Sequence, residues 1–474
     1  MKTAVAISAA IVGSASAWST LTMKACKWHC CYVDTTISEL PSIQIPSQGS
    51  IRQFQLSLND VTVQLSSLGA SINSIVLPDY SSAASTPQSF DDVVLSYKSP
   101  QEQYQHNNTQ FFSAIVGRVA NRIQDGKFQL QQQQQDGSSE DITTYNLDRN
   151  DGNVNHLHGG YDGFCHRIWE AEMDDQNHVK FTLISNDGDQ GYPGGIKITA
   201  IYSLVANEDD DIGAKLRLQM YGCLQEGETK ATPIALAQHS YFNLASHSSS
   251  ERILKHVLHM PRCDKFTPLD NTSIPTRKVQ SVKDVTAMDF CQPRTISDAL
   301  VHYGEEMVGL TPKTAEDNVQ QIMNDGSTES IFKVPKEGGA ADSNLDGDKP
   351  YGFDHNYVIN RHDDDDANSA LRLAAVLSHP STRRSMSILT SAPGVQLYTS
   401  NYLSGTNPPS DLCKDNSTYS QWQGICLETQ TFPDSIYSTP PEATDEFGKG
   451  RCFILRPGGD DYLHEVHFAF GRMP

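Results

Sequence analysis

Two polar residues with acid–base chemistry lie inside runs of the sequence that are otherwise apolar. His239 lies in the middle of residues 233–244 (PIALAQHSYFNL), and Glu428 has the same position in residues 424–430 (GICLETQ). Burial of a polar side chain is unfavourable unless that side chain has a partner or a task. An imidazole and a carboxylate together can donate one proton and accept another near neutral pH. The two residues are therefore candidates for a general acid and a general base.

Two further runs place polar residues where a ligand can approach them. His158 stands before a glycine pair in residues 155–160 (NHLHGG), and a glycine backbone can turn closely past a ligand. Asp354 lies in residues 351–358 (YGFDHNYV), beside a strand-like segment. A simpler interpretation stays open, because a strand histidine is commonly a hydrogen-bonded core residue and a strand glutamate commonly faces solvent. Composition alone leaves an acid–base pair as a candidate only.

The segments that must position these residues alternate between apolar and polar side chains. A period of two predicts half-buried strands in antiparallel sheets. The clearest examples are residues 54–58, 61–65, 179–183, 196–204 and 216–220. Turn-forming clusters separate the runs, as at residues 151–153, 186–188 and 458–460. Regular helices do not alternate with the strands, so the sequence predicts an all-β protein, a large antiparallel β-sandwich, rather than a parallel α/β sheet.

The charge balance limits the partners of the protein. The 474 residues include 36 Lys and Arg against 57 Asp and Glu, which gives a formal net charge of -21. Such a surface repels phosphate backbones and anionic lipid, so nucleic acid and membrane surfaces are poor partners. No stretch beyond the N-terminus approaches the ~18 apolar residues of a membrane span. We expect a monomer that binds a neutral small molecule.

The first residues have the pattern of a cleaved secretory signal. Lys2 precedes an apolar run at residues 4–13, and residues 15–17 (ASA) have the small-x-small pattern that signal peptidase accepts. A buried N-terminal helix is the less favoured interpretation, because the lone cation, the short run and the small residues occur together. The sequence therefore predicts a signal peptide at residues 1–17, a linker or presequence remainder at 18–48, and a folded domain at 49–474.

Two destinations stay open for a chain with this leader. Trp18 directly follows the cleavage pattern, and no acidic residue appears before Asp34. An aromatic residue in that place resembles the bipartite plastid presequences of algae with secondary plastids. The secretory pathway, with release from the cell, is favoured over the plastid. Three Asn-x-Ser/Thr sequons, which begin at Asn107, Asn271 and Asn416, would matter only in the secretory route.

The cysteines and the acidic residues give no sign of a metal or a cofactor. The ten cysteines are an even number, which suits an oxidising compartment, but no regular spacing defines a disulfide framework. The cluster of Cys26, His29, Cys30 and Cys31 matches no usual zinc spacing and has no second ligand pair. The acidic run at residues 363–366 lacks the spaced oxygen ligands and the glycine of a calcium loop. We expect no metal site and no cofactor.

Two polar segments are expected to be surface insertions. Residues 131–139 are a glutamine-rich tract of low complexity that cannot supply a core. Residues 310–348 are also polar, and the Thr-Pro pair at 311–312 predicts a short helix that continues through Met323.

Seven motifs, taken in order, resemble those of the aldose 1-epimerase (galactose mutarotase) family over roughly residues 50–474. Each motif alone is weak, but coincidence is a poor explanation for seven in the order of the family. The motifs are residues 114–123 (AIVGRVANRI), 155–160 (NHLHGG), 239–244 (HSYFNL), 266–270 (FTPLD) with 274–276 (IPT), 354–357 (DHNY), 393–396 (PGVQ) leading to 401–403 (NYL), and 427–430 (LETQ).

The resemblance implies a large β-sandwich with a sugar cleft, and an enzyme that interconverts the α and β anomers of free hexoses such as glucose and galactose. By matching positions, Glu428 corresponds to the general base of the family and His239 to its general acid. The residues implied to contact sugar hydroxyls are Asn121, Arg122, His158, Ser240, Tyr241, Asp354 and Gln396. The resemblance implies no metal and no cofactor.

Several details depart from the family or follow from its chemistry. Gln238 stands where Asn is usual, which could change how the neighbouring histidine is held, and the loops at 131–141, 310–348 and 405–420 are longer than usual. A proton donor must be protonated before it can act. We therefore expect the nearby carboxylate to raise the pKa of His239 and keep the imidazole charged.

Three other functions compete with this interpretation. A hexose-phosphate epimerase would need a cluster of cations, and Arg122 is the only Arg or Lys among the matched contacts. A non-catalytic sugar-binding protein on the same scaffold would commonly lose the acid or the base, whereas both are present here. A glycoside hydrolase needs two carboxylates, and Asp354 with Glu428 could formally serve. The histidine and the order of the motifs argue against the hydrolase.

The leader gives the first testable prediction. We expect the mature chain to begin at or near Trp18, because Ala15 and Ala17 occupy the two small-residue positions before it. N-terminal sequencing of protein from a eukaryotic secretory host measures this directly. Recovery of intact Met1 on folded, soluble protein would contradict the secretory hypothesis.

Overall fold

The alternating segments form antiparallel strands. The computed structural model describes residues 35–46, 48–81, 89–133, 140–174, 176–207, 213–325, 351–360, 371–436 and 450–473. The predicted signal peptide, the cluster of Cys26, His29, Cys30 and Cys31, and the acidic run at 363–366 lie outside these described residues. From Thr35 onward the chain forms one compact unit.

The strands outnumber the helices by far. In chain order the strands are β1 (Thr36–Ile45), β2 (Gly49–Leu58), β3 (Val61–Ser66), β4 (Ser71–Pro78), β5 (Phe90–Asp92), β6 (Ile115–Val116), β7 (Arg122–Ile123), β8 (Lys127–Gln133), β9 (Glu140–Asn146), β10 (His156–Leu157), β11 (Glu170–Met173), β12 (Val179–Ser185), β13 (Ile196–Ala206), β14 (Ala214–Leu224), β15 (Thr232–Ile234), β16 (Ala237–Gln238), β17 (Val257–His259), β18 (Lys265–Phe266), β19 (Gln280–Ser281), β20 (Arg294–Thr295), β21 (Asp354–Val358), β22 (Arg372–His379), β23 (Arg384–Thr390), β24 (Gly394–Tyr398), β25 (Cys426–Gln430), β26 (Phe453–Leu455) and β27 (Tyr462–Arg472). The α-helices of the described residues are α1 (Pro100–Gln105), α2 (Ile296–Tyr303) and α3 (Pro312–Asp325). None of these helices is long and apolar enough to cross a membrane.

Three larger sheets organise the strands. One has five strands in the order β1-β2-β3-β4-β5, one has nine in the order β11-β12-β13-β14-β27-β23-β22-β17-β20, and one has five in the order β19-β18-β21-β24-β25. Two-stranded pairs join β6 to β16, β7 to β10, β8 to β9 and β15 to β26. The strand pairs within the three larger sheets are antiparallel, as the period of two predicts. The prediction of an all-β sandwich is confirmed.

The core follows the alternation of the sequence. In β13 every second residue from Ile196 to Leu204 is buried, and β14 repeats the pattern. Phe54 of β2 meets Phe181 of β12 edge to face, with ring centroids 5.9 Å apart. The first sheet therefore packs on the nine-stranded sheet, and each large apolar side chain buried there contributes roughly 1.5–3 kcal/mol.

Strand β1 corrects the predicted boundary of the folded domain. A linker was expected over residues 18–48, but residues 36–45 of that segment form β1 and pair with β2. The register shifts between Leu40 and Ile43, and Pro41 between them has no N–H to donate. This irregularity breaks the alternation by which the other strands are recognised. The folded domain thus begins before residue 49.

Helix α3 confirms the helix expected after the Thr-Pro pair. It begins at Pro312, and the hydroxyl of Thr311 accepts a hydrogen bond from the backbone N–H of Thr314 at 3.2 Å. A capping hydroxyl followed by proline at the first helical position is a favoured helix start. Val319 and Ile322 are buried, which fixes the helix on the domain.

The glutamine tract begins within a strand. Residues 131–133 belong to β8, which pairs with β9, whereas residues 134–139 lie outside the described residues. The side-chain amide of Gln132 donates to the carbonyl of Ala231 at 2.8 Å and accepts from its backbone N–H at 2.7 Å. The assignment of the whole tract to a surface insertion is therefore wrong for Gln132, because its amide pairs with backbone as a strand residue would.

The seven cysteines within the described ranges are all free thiols. Five of them are buried, and those are Cys165, Cys263, Cys413, Cys426 and Cys452. These thiols therefore contribute to the core by packing rather than by cross-linking.

The hairpin of β8 and β9 gives a prediction about stability. Replacement of residues 134–139 by a two-residue Asn-Gly turn should change the free energy of unfolding by less than about 1 kcal/mol, because loop-closure entropy varies slowly with length. Gln132→Ala should destabilise the domain by about 1–2 kcal/mol, since it removes both hydrogen bonds between the side-chain amide and the backbone of Ala231. Chemical unfolding measures both changes, with Gln131→Ala as the matched control at an exposed position. Equal losses for the two alanine variants would contradict this role of Gln132.

Candidate functional site

His239 is fixed by backbone contacts on both sides. It follows β16, and its N–H donates to the carbonyl of Ala114 while its own carbonyl accepts from Ser113, each at 2.9 Å. Gln238 strengthens this attachment, because its side chain donates to the carbonyl of Ser113 at 2.6 Å and accepts from the N–H of Ser240 at 3.0 Å. The glutamine that departs from the family pattern thus holds the segment on either side of the histidine.

Glu428 is placed by the register of the second five-stranded sheet. Gln396 of β24 lies between Glu428 of β25 and Asn356 of β21, directly opposite both. Asp354 lies two residues before Asn356 and shares its face of the sheet. The side-chain amide of Gln396 donates to Asp354 at 2.7 Å. Three neighbouring strands therefore bring two acids and an amide to one surface.

Two hydrogen bonds join His158 to Asn121. The N–H of His158 donates to the carbonyl of Asn121 at 3.0 Å, and the N–H of Asn121 donates to Nδ1 of His158 at 3.1 Å. Both residues have left-handed backbones, with φ of 49° for His158 and 61° for Asn121. Gly159 is required next to them, since a Cβ there would lie 1.8 Å from the carbonyl oxygen of Gly117.

These elements meet at a cavity of about 230 Å³. Its lining comprises Gln110, Phe111, Asn121, Arg122, Asp151, Leu157, His158, His239, Tyr241, Asp354, Tyr398, Tyr402 and Glu428. A larger cavity of about 780 Å³ elsewhere has no carboxylate among its lining residues within the described ranges. The smaller cavity therefore holds the candidate chemistry.

Most of the predicted site residues come together in this cavity. Seven of them line it, and those are Asn121, Arg122, His158, His239, Tyr241, Asp354 and Glu428. Gln396 stands beside the cavity through its bond to Asp354. Ser240 is not part of the lining, and its buried hydroxyl has no hydrogen-bond partner among the described residues.

Sequence reasoning missed several wall residues. Asp151 was assigned to a turn, yet its carboxylate accepts from Nε of Arg122 at 2.7 Å. Phe111 packs against both histidines of the site, with ring centroids 4.7 Å from His158 and 5.7 Å from His239. Only the contacts of the folded chain reveal these residues, although Tyr402 falls within one of the matched motifs.

His239 and Glu428 are a buried pair. Nε2 of His239 lies 3.6 Å from Oε1 of Glu428, and the two residues are 4% and 2% exposed. Burial lowers the pKa of His239 to about 4, which outweighs the opposite effects of its own backbone carbonyl and of Asp354. Burial, helped by the charge of Asp354, raises the pKa of Glu428 well above its usual value.

The expectation that the carboxylate keeps His239 charged is therefore wrong for the substrate-free cavity. Desolvation disfavours both charged forms and is the largest cause of the shift for each residue. Burial thus favours a neutral imidazole beside a protonated glutamic acid. In that state the pair holds one proton, on Glu428.

The hydrogen bond from Asn121 defines the tautomer of His158. A backbone N–H can only donate, so Nδ1 of His158 must offer its lone pair and Nε2 must carry the hydrogen. Burial lowers the pKa of His158 well below its usual value, and the positive charge of Arg122 acts in the same direction. His158 is therefore a neutral hydrogen-bond donor.

That tautomer bears on whether a metal would fit. Nitrogen or oxygen atoms of His158, His239 and Glu428 lie within 4.8 Å of one another, as in a two-histidine, one-carboxylate metal site. A metal ligand must supply a lone pair. In His158 the lone pair of Nδ1 accepts the hydrogen bond from Asn121, and Nε2 carries a hydrogen, so neither nitrogen has a lone pair to offer. These residues do not fit a resident metal.

Arg122 is a cation whose charge is compensated within the cavity wall. Its Nε donates a hydrogen bond to the carboxylate of Asp151, and its Nη1 lies 3.7 Å from Oδ2 of Asp354. Burial works against its charge, but Asp354 and Asp151 outweigh burial and raise the pKa of Arg122 above its usual value. The wall therefore offers directional donors and acceptors with little unbalanced positive charge.

The sequence of the chain is similar to those of known proteins. The sequence profile of the family described as "Aldose 1-epimerase" matches residues 52–451. The chain is 30% identical over 438 residues to the galactose mutarotase of Mus musculus, which covers 92% of this chain and 97% of that protein. It is 27% identical over 379 residues to the aldose 1-epimerase of Escherichia coli strain K12, with 80% of this chain and 85% of that protein covered.

Solved structures show the same fold. The galactose 1-epimerase from Lactobacillus acidophilus superposes with a TM-score of 0.62 at 21% identity and covers 93% of this chain and 100% of its own. An aldose epimerase homologue from C. elegans gives a TM-score of 0.60 at 21% identity, with the same coverage. The profile match over most of the chain and the kinship to the mouse protein establish that this chain is an enzyme of the aldose 1-epimerase family.

Proposed function

We propose that the enzyme interconverts the α and β anomers of free hexoses such as glucose and galactose. The observation that carries the proposal is the buried pair of His239 and Glu428, 3.6 Å apart in a cavity walled by sugar-binding side-chain types. The cavity volume of about 230 Å³ is below the ~300–1,000 Å³ of sites for drug-sized ligands, so it suits a single small ring.

The proposed reaction opens and recloses the sugar ring by proton exchange. Glu428 as a carboxylate removes the proton from the O1 hydroxyl, the C1–O5 bond breaks, and His239 gives a proton to O5. The C1–C2 bond of the open aldehyde rotates, and reversal of the proton transfers closes the ring on the other face. Each positioned acid or base contributes ~10²–10⁴-fold to the rate.

The neutral state of the pair fits one point of this cycle. After ring opening, Glu428 holds the proton from O1 and His239 has lost its own, which is also the favoured state of the empty cavity. Ring opening therefore needs one prior proton transfer from Glu428 to His239. Oε2 of Glu428 has no hydrogen-bond partner among the described residues, so a sugar hydroxyl that donates to it would stabilise the carboxylate and drive that transfer.

The remaining wall supports binding of a neutral sugar. His158 offers its Nε2–H, Asn121 and Arg122 offer further donors, and Asp354 accepts. Arg122 is the only Lys or Arg that lines the cavity within the described residues, and two carboxylates already balance it. This supports a free hexose over a hexose phosphate. The presence of both acid and base supports catalysis over binding alone.

Substitution of the pair tests the mechanism. Glu428→Gln cannot accept the O1 proton, and His239→Asn cannot supply a proton to O5, so each should lower kcat at least ~10²-fold. The double variant should lose much less than the product of the two losses, because both residues act in one proton exchange. Polarimetry on fresh α-D-glucose and α-D-galactose measures the rate, and calorimetry should show that sugar still binds.

The control for these variants is Glu465→Gln, a carboxylate on β27 that is absent from the cavity lining. It should mutarotate at the parent rate. A parental rate for Glu428→Gln would refute the mechanism. Sugar binding by a parent protein that does not accelerate mutarotation would instead support the binding-protein hypothesis.

The pH dependence should follow the single proton of the pair. Because the pKa of His239 is lowered to about 4, a second proton enters only below about pH 4, and the rate should fall there. Because the pKa of Glu428 is raised, the pair should lose its one proton only well above the usual range of a carboxyl. Between these limits kcat/KM, corrected for the buffer-catalysed rate, should be flat.

Asp354→Asn should move both limits of this profile to lower pH. The charge of Asp354 raises the pKa of both members of the pair, so its removal lowers both. Asp151→Asn is the matched control, since Asp151 is a similar carboxylate on Arg122 without such an effect on the pair. A shift to higher pH, or the same shift in the control, would contradict the assignment.

A further inference from the structure

The two histidines of the cavity differ in what faces their Nδ1 atoms. Nδ1 of His158 receives a backbone N–H, whereas Nδ1 of His239 lies 3.8 Å from Sγ of Cys426. Cys426 is fully buried in β25, two residues before Glu428 and therefore on the same face of the strand. One strand thus presents a carboxyl to one nitrogen of His239 and a thiol to the other.

The chemistry of these partners decides what each ring can do. A backbone N–H cannot accept a hydrogen bond, so Nδ1 of His158 stays unprotonated while that bond persists. A thiol sulfur can accept one, although weakly. Burial, together with the charge of Asp354, raises the pKa of the Cys426 thiol well above its usual value, so the sulfur remains neutral. His239 can therefore keep a hydrogen on Nδ1 without an added charge beside it.

A neutral acceptor matters for a ring that must pass a proton on. If Nδ1 of His239 carries a hydrogen, the lone pair of neutral His239 is on Nε2, the nitrogen 3.6 Å from Glu428. Only in that tautomer can Nε2 take the proton of Glu428 and later give it to the sugar. A carboxylate in place of the thiol would hold the imidazole as a cation and hinder the return of the proton.

We propose that Cys426 is a positioning residue, whose sulfur accepts the hydrogen bond of Nδ1–H of His239 and so keeps Nε2 as the nitrogen that exchanges protons. The two histidines then have opposite tautomers, with the hydrogen on Nδ1 in His239 and on Nε2 in His158. The expected effect of Cys426 on the rate rests on the proposed function. The assignment of the two tautomers does not depend on it.

Nuclear magnetic resonance of the full-length protein tests the tautomers without any activity. Long-range ¹H–¹⁵N spectra of protein labelled in histidine, assigned with His239→Asn and His158→Asn, distinguish protonated Nδ1 from protonated Nε2. The parent should show Nδ1–H at His239 and Nε2–H at His158. Cys426→Ser keeps an acceptor and should keep this pattern, whereas Cys426→Val should move His239 toward Nε2–H.

Polarimetry gives the matching rates. Cys426→Val should lower kcat about 10- to 100-fold with little change in sugar affinity, because the buried His239 ring would lose its hydrogen bond to the sulfur. Cys426→Ser should recover most of that loss. Cys413→Ala is the matched control, because Cys413 is also a buried thiol but has its contacts with Pro408 and Pro409 rather than with a histidine. This control should retain the parent rate.

The outcomes separate the two proposals. Nε2–H at His239 in the parent, or unchanged Nδ1–H in Cys426→Val, overturns the role of Cys426. A parent with the expected tautomers that does not accelerate mutarotation overturns the proposed function and leaves the tautomer assignment standing. If Cys426→Val does not fold, Cys426→Ala removes the sulfur in its place, and Cys413→Ala is its matched control at another buried thiol.

Discussion

The removal of water from His239 and Glu428 is the constraint on which the site depends. In water a glutamate is charged at neutral pH, and a histidine becomes charged just below it. Burial makes the neutral forms of both groups more stable. Proton transfer from Glu428 to His239 is therefore unfavourable in the empty cavity. A ligand that donates a hydrogen bond to the carboxylate of Glu428 would lower the free energy of that transfer. The surrounding strands serve to exclude water and to hold the two side chains at a fixed separation.

The fold supplies that exclusion by converging several sheets on one cavity. The second five-stranded sheet carries the acids, the short pair of β6 and β16 leads into His239, and the pair of β7 and β10 carries Arg122 and precedes His158. No single sheet contains the complete site. The nine-stranded sheet and the five-stranded sheet of β1 to β5 provide the large buried core behind the site. This division explains why so large a domain surrounds so small a cavity.

Much of this could be predicted from the sequence, because alternation and short motifs are local signals. Such signals reveal the regular strands β2, β3, β13 and β14 and most of the cavity residues. Strand β1 could not be recognised, since Pro41 and the register shift remove its alternation. The state of His239 could not be predicted either, because a pKa depends on burial by residues distant in sequence. For the same reason the sequence pattern predicts only a turn at Asp151, although this residue binds Arg122 across the cavity wall.

The opposition of Gln396 and Glu428 across β24 and β25 has a consequence for how the chain acquires activity. Side chains alternate along a strand, so a slip of β25 by one residue would point Leu427 or Thr429 into the cavity and turn Glu428 away. The slipped chain would keep nearly all of its backbone hydrogen bonds and much of its burial. Spectroscopic signs of folding would barely distinguish it from the native protein, yet on the proposed mechanism it would be inert. Specific activity after refolding therefore reports the fidelity of strand alignment, a property that secondary-structure content cannot reveal.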